Sequence, residues 1–218
     1  PPKTVRRQRQ MCIRDSHVIN PLRSDYISEK LDVTGIKAID VACGGGLLAE
    51  SLHLKGAEMT GVDISDVAIH TATIHAEKQG LEIKYLNCEA EDLLPAEKES
   101  YDLVTCLEAI EHVPDPAKLV ETCSNLCKPG GTIVFSTINR NPKSFLFAII
   151  GAEYILNLLP KGTHEYKKFI KPSELSSMMR DNSLEVTEVI GMSYNPITKN
   201  YWLGKDVDVN YLIHARKK

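Results

Sequence analysis

Short apolar runs alternate with amphipathic segments along most of the chain. Apolar runs of about four to eight residues are typical of buried strands, and apolar positions with a period near 3.6 are typical of helices. Strands are predicted at residues 36–41, 58–62, 83–86, 101–107, 132–137, 184–189 and 209–215. Helices are predicted at residues 47–55, 65–79, 115–128 and 172–180.

This alternation of strands and helices predicts a mainly parallel sheet with helices on both faces, in one α/β domain over residues 17–218. Ligands of such sheets bind beyond the carboxyl ends of the strands, near the point where the strand order reverses. Functional residues are therefore expected in the loops that follow the first, second, fourth and fifth strands.

A glycine-rich loop, Asp-Val-Ala-Cys-Gly-Gly-Gly at residues 40–46, follows the first predicted strand. Glycine lets the backbone turn sharply and lets a ligand lie close to it, and the next helix begins with free N–H groups. Asp63 ends the second strand, where its carboxylate can accept hydrogen bonds from both hydroxyls of a ribose. The loop and Asp63 predict a nucleotide-like cofactor, and a tight turn without a ligand is the structural alternative.

Two cofactors fit this loop. Residues 44–49 match the G-x-G-x-x-G/A pattern of NAD-binding proteins, and Asp63 lies near the expected spacing of about 20 residues. S-adenosylmethionine lacks a pyrophosphate and carries a cationic amino group. Because Asp40 places negative charge where it would attract that group and repel a phosphate, we favour S-adenosylmethionine, with an NAD-dependent oxidoreductase as the alternative.

Two carboxylates and a histidine follow the fourth predicted strand: Glu108, Glu111 and His112. If residues 108–112 form one helical turn, Glu108 and His112 share a face with Glu111 beside them. Methyl transfer to a phenol needs the phenolate, and a phenol with a pKa of about 10 is mostly protonated at pH 7. Either His112 acts as general base, or Mg²⁺ held by the two glutamates lowers the pKa of the hydroxyl. The structural alternative is that Glu111 and His112 only stabilise the loop.

Composition narrows the class of protein. The 218 residues suffice for one α/β domain with a sizeable core. The formal net charge of −3 argues against a nucleic-acid partner, since nucleic-acid-binding domains usually carry a basic excess. The six cysteines include no Cys-x-x-Cys pair and predict free thiols in a reducing, cytoplasmic compartment.

Two segments depart from the alternating pattern. Residues 1–16 are basic and polar with no apolar period, and we interpret them as a disordered or non-native lead-in. Residues 140–171 form a long insertion whose centre, residues 144–160, is strongly apolar and flanked by lysines. This centre is too short to span a bilayer, so it is expected to lie in a membrane interface. The alternative is a lid or core helix of a soluble enzyme.

The sequence resembles the bacterial ubiquinone biosynthesis O-methyltransferases over residues 17–218. The more general marks are the glycine loop and the His-Val-Pro-Asp stretch within Glu-His-Val-Pro-Asp-Pro at residues 111–116, and Asn-Pro-Leu-Arg at residues 20–23 is a further mark. The more specific marks are Ser-Thr-Ile-Asn-Arg-Asn at 136–141, Pro-Lys-Gly-Thr-His at 160–164, Lys-Phe-Ile-Lys-Pro at 168–172, Tyr-Asn-Pro-Ile-Thr at 194–198 and Val-Asp-Val-Asn-Tyr at 207–211.

The resemblance implies a fold, a reaction and a set of contacts. The fold is the Rossmann-like class I methyltransferase fold, whose mainly parallel seven-stranded sheet has an antiparallel last strand. The reaction is O-methylation, by S-adenosylmethionine, of phenolic hydroxyls on polyprenylated catechol or demethylubiquinol intermediates. Arg23, Ala42, Asp63 and Leu107 match the family's cofactor contacts, to which the glycine-loop analysis adds Asp40, Gly44 and Gly46. In mitochondrial relatives, the residues that match Glu108, Glu111 and His112 hold magnesium.

The resemblance also implies a membrane location and exposes two departures. The family's insertion is implicated in lipid binding, so the enzyme is expected in the cytoplasm, at the surface of the inner membrane. Ala42 stands where the family has glycine, which is tolerable if φ is negative there. The lead-in stands where the family has a helical segment with paired tryptophans. These departures leave a third interpretation, an inactive scaffold that contacts lipid and other ubiquinone-biosynthesis enzymes.

Overall fold

The computed structural model describes residues 19–141, 168–195, 198 and 200–218. The predicted lead-in at residues 1–16 and the apolar segment at residues 144–160 lie outside the described residues. The first described element is helix α1, which covers residues 19–30.

Strands and helices follow in the alternating order expected from the sequence. The strands are β1 Lys37–Val41, β2 Glu58–Asp63, β3 Lys84–Asn87, β4 Tyr101–Leu107, β5 Cys127–Ile138, β6 Leu184–Asn195, β7 Asn200–Gly204 and β8 Asn210–Lys217. The helices after α1 are α2 Leu47–Leu54, α3 Asp66–Gln79, α4 Leu94–Glu97, α5 Pro116–Leu126 and α6 Pro172–Asp181, and a short 3₁₀ turn, Ala90–Leu93, precedes α4.

The strands form one sheet in the order β3-β2-β1-β4-β5-β8-β6-β7. Strands β3, β2, β1, β4 and β5 are parallel, and β8 is antiparallel to both β5 and β6. The predicted fold, a mainly parallel sheet with helices on both faces and an antiparallel last strand, is confirmed. The sheet has eight strands where seven were predicted, because β7 adds an antiparallel edge strand next to β6. The segment that forms β7 is only partly buried, so its sequence lacks the apolar run of an inner strand.

The helix boundaries follow from local chemistry. Ser65 precedes α3, and its Oγ accepts a hydrogen bond from the N–H of Ala68 at 3.3 Å. Asp115 caps α5 through its Oδ1, 3.1 Å from the N of Lys118, and proline occupies the first position of that helix. Gly80 ends α3 at a φ of +68°, a left-handed conformation that favours glycine.

Two apolar clusters cover the two faces of the sheet. One packs the sheet against α5 and α6, and the other packs it against α1 and α2. Consecutive strand residues alternate between the clusters: Leu103 belongs to the α1 side and Val104 to the α5 side. Because packed helices cover both faces of the sheet, a ligand is expected at the ends of the strands. Among the described helices, none has both the length and the apolar character needed to cross a membrane.

Candidate active site

The carboxyl ends of β1, β2 and β4 bring the predicted cofactor residues to one edge of the sheet. Asp40 pairs with Gly61 of β2 on one side and Thr105 of β4 on the other. Asp63 ends β2, and half-buried Leu107 ends β4 next to the α1-side cluster. Arg23 reaches the same edge from α1, where it contacts Glu108. The structure therefore places the residues predicted from separate parts of the chain in one region.

The glycine loop is fixed to the end of β2 by Asp63. One oxygen of this carboxylate accepts a hydrogen bond from the N–H of Gly44 at 2.9 Å, and the other accepts one from Ser65 at 2.8 Å. Gly44 and Gly46 have φ values of +54° and +80°, which glycine adopts without strain. Asp63 thus joins the loops after β1 and β2, and its remaining lone pairs are available to a ligand.

Ala42 lies in the left-handed region, with a φ of +57°. Alanine was expected to be acceptable here on the condition that φ is negative, and that condition is not met. A non-glycine residue in this conformation costs about 1–2 kcal/mol, because its Cβ approaches the following carbonyl oxygen. Ala42 therefore adopts the left-handed conformation of this loop with local backbone strain.

Tyr85 of β3 packs against the glycine loop. It was not identified from the sequence. A Cβ built on Gly46 would lie 2.3 Å from the Tyr85 Oη, and one built on Gly61 would lie 2.7 Å from the Tyr85 ring. The Oη donates a hydrogen bond to the carbonyl oxygen of Gly46 at 3.3 Å. Only the pairing of β2 with β3 brings this tyrosine under the loop, so no local sequence pattern indicates it.

Asp40 is a buried carboxylate at the start of the glycine loop, with 4% of its surface exposed. Burial raises its pKa to about 7, although the charge of Arg23 and a hydrogen bond from Thr105 oppose the increase. The Thr105 Oγ1 donates to Asp40 Oδ1 at 2.7 Å. A cation bound next to Asp40 would stabilise its charged form, whereas a phosphate there would be repelled. This site suits a cationic ligand.

Glu108 is held by three side chains from distant parts of the chain. Its Oε1 accepts hydrogen bonds from Arg23 at 2.5 Å and from the Ser136 hydroxyl at 2.8 Å. The Asn210 amide donates to both of its oxygens, at 3.1 and 3.2 Å. The Nε of Arg23 is buried and has no hydrogen-bond partner among the described residues.

The helical turn predicted at residues 108–112 does not form. Glu108 has a φ of +56°, so the chain leaves the helical conformation at the first residue. A tight turn follows, in which the N–H of His112 donates to the carbonyl of Ala109 at 2.9 Å. His112 is exposed, whereas Glu111 is 3% exposed. Burial and the nearby charge of Glu108 raise the pKa of Glu111 to about 8, so its carboxyl is mostly protonated at pH 7.

The predicted magnesium site does not fit this arrangement. Glu108 bonds to Ser136 and Glu111 bonds to Thr137, at 2.8 Å in each case. Because consecutive strand residues face opposite sides of a sheet, the two carboxyls are bound to hydroxyl groups that start from opposite faces of β5. Glu108 is also paired with Arg23. Within the described residues, no group of three His, Cys, Asp or Glu side chains is placed to hold a metal ion.

Comparison with known proteins assigns the family. A methyltransferase domain family matches residues 39–135. The ubiquinone biosynthesis O-methyltransferase of Marinobacter nauticus is 56% identical over 202 residues, covering 92% of this chain and 85% of the relative. The corresponding protein of Saccharophagus degradans is 54% identical over 202 residues, covering 92% and 86%.

Solved structures with low sequence identity share the fold. A magnesium protoporphyrin IX methyltransferase from Synechocystis with bound S-adenosylhomocysteine gives a TM-score of 0.66 at 17% identity, covering 91% of this chain and 81% of that one. A methyltransferase from Aquifex aeolicus gives 0.67 at 13% identity, covering 97% and 98%. The fold and the relatives decide against the NAD-dependent oxidoreductase. The chain belongs to the ubiquinone biosynthesis O-methyltransferases and is an S-adenosylmethionine-dependent methyltransferase.

Proposed function

We propose that this chain methylates phenolic hydroxyls of polyprenylated catechol or demethylubiquinol intermediates in ubiquinone biosynthesis. The relatives' names support the pathway. The observation that carries the chemistry is Asp40, a buried carboxylate beside the glycine loop at the carboxyl edge of a parallel sheet. Bound S-adenosylmethionine supplies an electrophilic methyl group on a sulfonium.

The cofactor contacts follow from the polar groups at this edge. Asp40 attracts the cationic amino group, and Asp63 accepts the ribose hydroxyls beside its bond to Gly44. Arg23 binds the cofactor carboxylate through its Nε, which is buried and has no partner among the described residues. Ala42, Gly44, Gly46 and Leu107 line the cofactor through backbone and apolar contacts.

His112 is the proposed general base. Among the three polar residues after β4, Glu108 is paired with Arg23 and Glu111 is mostly protonated at pH 7. His112 is exposed, and a neutral imidazole can accept the phenol proton. Holding the phenol oxygen in line with the sulfonium methyl supplies much of the remaining acceleration.

The substrate also places the enzyme at a membrane. A polyprenyl tail remains in the bilayer, so we propose a cytoplasmic enzyme that associates peripherally with the inner membrane. The apolar segment at residues 144–160 and its flanking lysines are the proposed lipid contact. Contacts with other ubiquinone-biosynthesis enzymes are also proposed.

A direct assay tests the reaction. The chain is mixed with labelled S-adenosylmethionine and a water-soluble, short-tailed catechol, and methyl transfer is expected. The variant Asp40→Asn should lose most cofactor affinity. The variant His112→Gln should bind S-adenosylhomocysteine normally and lose roughly 10²–10⁴-fold in rate, the usual contribution of a general base.

The same assay separates the alternatives. Activity should persist in a chelator if His112 is the base; loss in chelator with recovery on adding Mg²⁺ would restore the metal mechanism. The inactive scaffold is tested in the same way. A chain that gains thermal stability from S-adenosylhomocysteine but transfers no methyl group would support the scaffold.

A further inference from the structure

Thr105 carries a hydroxyl group that is buried in the middle of an apolar strand. It lies in β4 between Val104 and Cys106, and all three residues are fully buried. Valine would fill nearly the same space and is equally suited to a strand, so packing alone does not require a hydroxyl here. A buried hydroxyl normally has a hydrogen-bond partner, and the partner of Thr105 indicates what this side chain does.

The partner is Asp40 on the neighbouring strand. Asp40 and Thr105 are paired in the parallel register of β1 and β4, so their side chains lie on the same face of the sheet. The Thr105 Oγ1 lies 2.7 Å from Asp40 Oδ1 and 3.4 Å from the carbonyl oxygen of Ile39. A hydroxyl has one proton to donate, and the shorter contact assigns that proton to Asp40.

The hydrogen bond from Thr105 occupies one of the two oxygens of Asp40. Among the described residues, no other side chain donates a hydrogen bond to this carboxylate. The χ1 angle of threonine is restricted because its Cβ is branched, so the hydroxyl is held in one place on a buried strand. Thr105 therefore fixes Oδ1 and leaves Oδ2 to accept hydrogen bonds from a ligand.

Several elements place charged or titratable groups near Asp40. Arg23 of α1 favours its charged form, and Asp63 at the end of β2 disfavours it. Burial raises the pKa of Asp40 to about 7, and the hydrogen bond from Thr105 opposes this increase more strongly than the charge of Arg23 does. Three side chains with raised pKa values, neutral between pH 6 and pH 8.5, also interact with Asp40: Cys43, Tyr85 and Cys106.

We propose that Thr105 is a positioning residue for the cofactor, which keeps the Asp40 carboxylate charged and oriented toward the cationic amino group of S-adenosylmethionine. Thr105 acts through Asp40 and does not itself touch the ligand. This inference rests on the proposed function, in which Asp40 binds that amino group.

The consequence is a loss of affinity that depends on pH. Without the hydroxyl, the charged form of Asp40 loses a hydrogen bond, so its pKa rises above about 7. At pH 6, ligand binding must then remove a proton that is held more tightly. At pH 8.5, the carboxyl is mostly charged with or without Thr105. A role of Thr105 in packing alone would weaken binding equally at both pH values.

Calorimetry with S-adenosylhomocysteine at pH 6 and pH 8.5 tests this difference. In Thr105→Val the dissociation constant should rise roughly tenfold over the parent chain at pH 6, and roughly twofold or less at pH 8.5. The amino group of the ligand titrates equally in both measurements, so the ratio of variant to parent reports on the protein. A ratio that does not fall between pH 6 and pH 8.5 would overturn the inference.

Matched variants separate the hydroxyl from the rest of the side chain. Thr105→Ser keeps the hydroxyl and should bind like the parent chain, and a loss equal to that of Thr105→Val would contradict the inference. Thr122→Val is the control, because Thr122 of α5 is also fully buried but its Oγ1 has no hydrogen-bond partner among the described residues. Each variant must be folded at the temperature of the titration. If Thr105→Val is not folded, Thr105→Ala takes its place with the same expected pH dependence.

The parent chain separates this inference from the proposed function. Its affinity should increase between pH 6 and pH 8.5 as Asp40 becomes charged, and Asp40→Asn should lack this increase. The same increase in Asp40→Asn, or parent binding that does not change with pH, would contradict the inference alone. Absence of S-adenosylhomocysteine binding by the parent at both pH values would contradict the proposed function, and the inference with it.

Discussion

Arg23 of α1 and Glu108 at the end of β4 form an ion pair, with the Nη2 of Arg23 2.5 Å from the Oε1 of Glu108. The two side chains are 14% and 29% exposed, so the pair is shielded from most of the solvent. It ties the first described helix to the edge of the sheet at which the predicted cofactor residues lie.

Replacement of Arg23 should weaken cofactor binding. In Arg23→Met the proposed partner of the cofactor carboxylate is lost, and a hydrogen bond to a charged group contributes roughly 1.5–3 kcal/mol. The dissociation constant of S-adenosylhomocysteine, measured by calorimetry, should therefore rise roughly tenfold to a hundredfold. Asp25→Ala is the control on the same helix, since the Asp25–Lys55 pair is exposed and should change little. Equal affinities in both variants would remove Arg23 from the cofactor site.

Glycine at position 42 should stabilise the protein. Ala42 has a φ of +57°, and glycine removes the strain of about 1–2 kcal/mol while costing about 0.5–1 kcal/mol of backbone entropy. The free energy of unfolding in urea should rise by about 0.5–1 kcal/mol in Ala42→Gly. Ala38→Gly, in buried β1 with no positive φ, should lower it. A decrease in both variants would argue that the loop tolerates alanine without strain.

Glu111 should make stability depend on pH. Its pKa rises from an ordinary value near 4.5 to about 8 on folding, so the folded state holds a proton that the unfolded state releases. Its contribution is complete below about pH 4.5 and is lost as the pH rises through about 8. Glu111→Gln imitates the protonated form, so its unfolding free energy should fall less between pH 6 and pH 9. Asp40 titrates in the parent and in the variant alike, and parallel profiles would show that Glu111 is ionised in the folded protein.

Tyr85 and Gly46 should be energetically coupled. Gly46→Ala places a methyl group 2.3 Å from the Tyr85 Oη, and removing that oxygen in Tyr85→Phe makes part of the room it needs. The double variant should recover some of the S-adenosylhomocysteine affinity lost in Gly46→Ala. The remaining loss reflects the φ of +80° at Gly46, which alanine adopts with strain. Additive losses across the cycle would show that Tyr85 does not position the loop.

Local patterns predicted most of the fold because the chemistry that starts and ends each element is local. Ser65, Gly80 and Asp115 act within a few residues of themselves, and each acts as expected. The partly buried strand β7 escaped prediction because an edge strand does not need a continuous apolar run.

The site was only partly predictable, for a different reason. The carboxyl ends of the strands were expected to carry the functional residues, and Asp40, Asp63 and Glu108 lie there. The hydrogen bond from Asn210 to Glu108 joins residues 102 positions apart, and no spacing rule reveals it. A tight turn replaces the expected helical turn at residues 108–112. It begins with the positive φ of Glu108, which the residue type does not indicate.

The order of strands in the sheet constrains how the chain can assemble during synthesis. Strand β8 lies between β5 and β6, although it follows both in the sequence. The parallel part of the sheet can form early, but β6 and β7 have no place to attach until residues 210–217 have emerged. Asn210, whose side-chain amide donates hydrogen bonds to Glu108, becomes available in that same step. A nascent chain therefore exposes the unpaired edge of β5 for a time, and the contacts around Glu108 are complete only when β8 has joined the sheet.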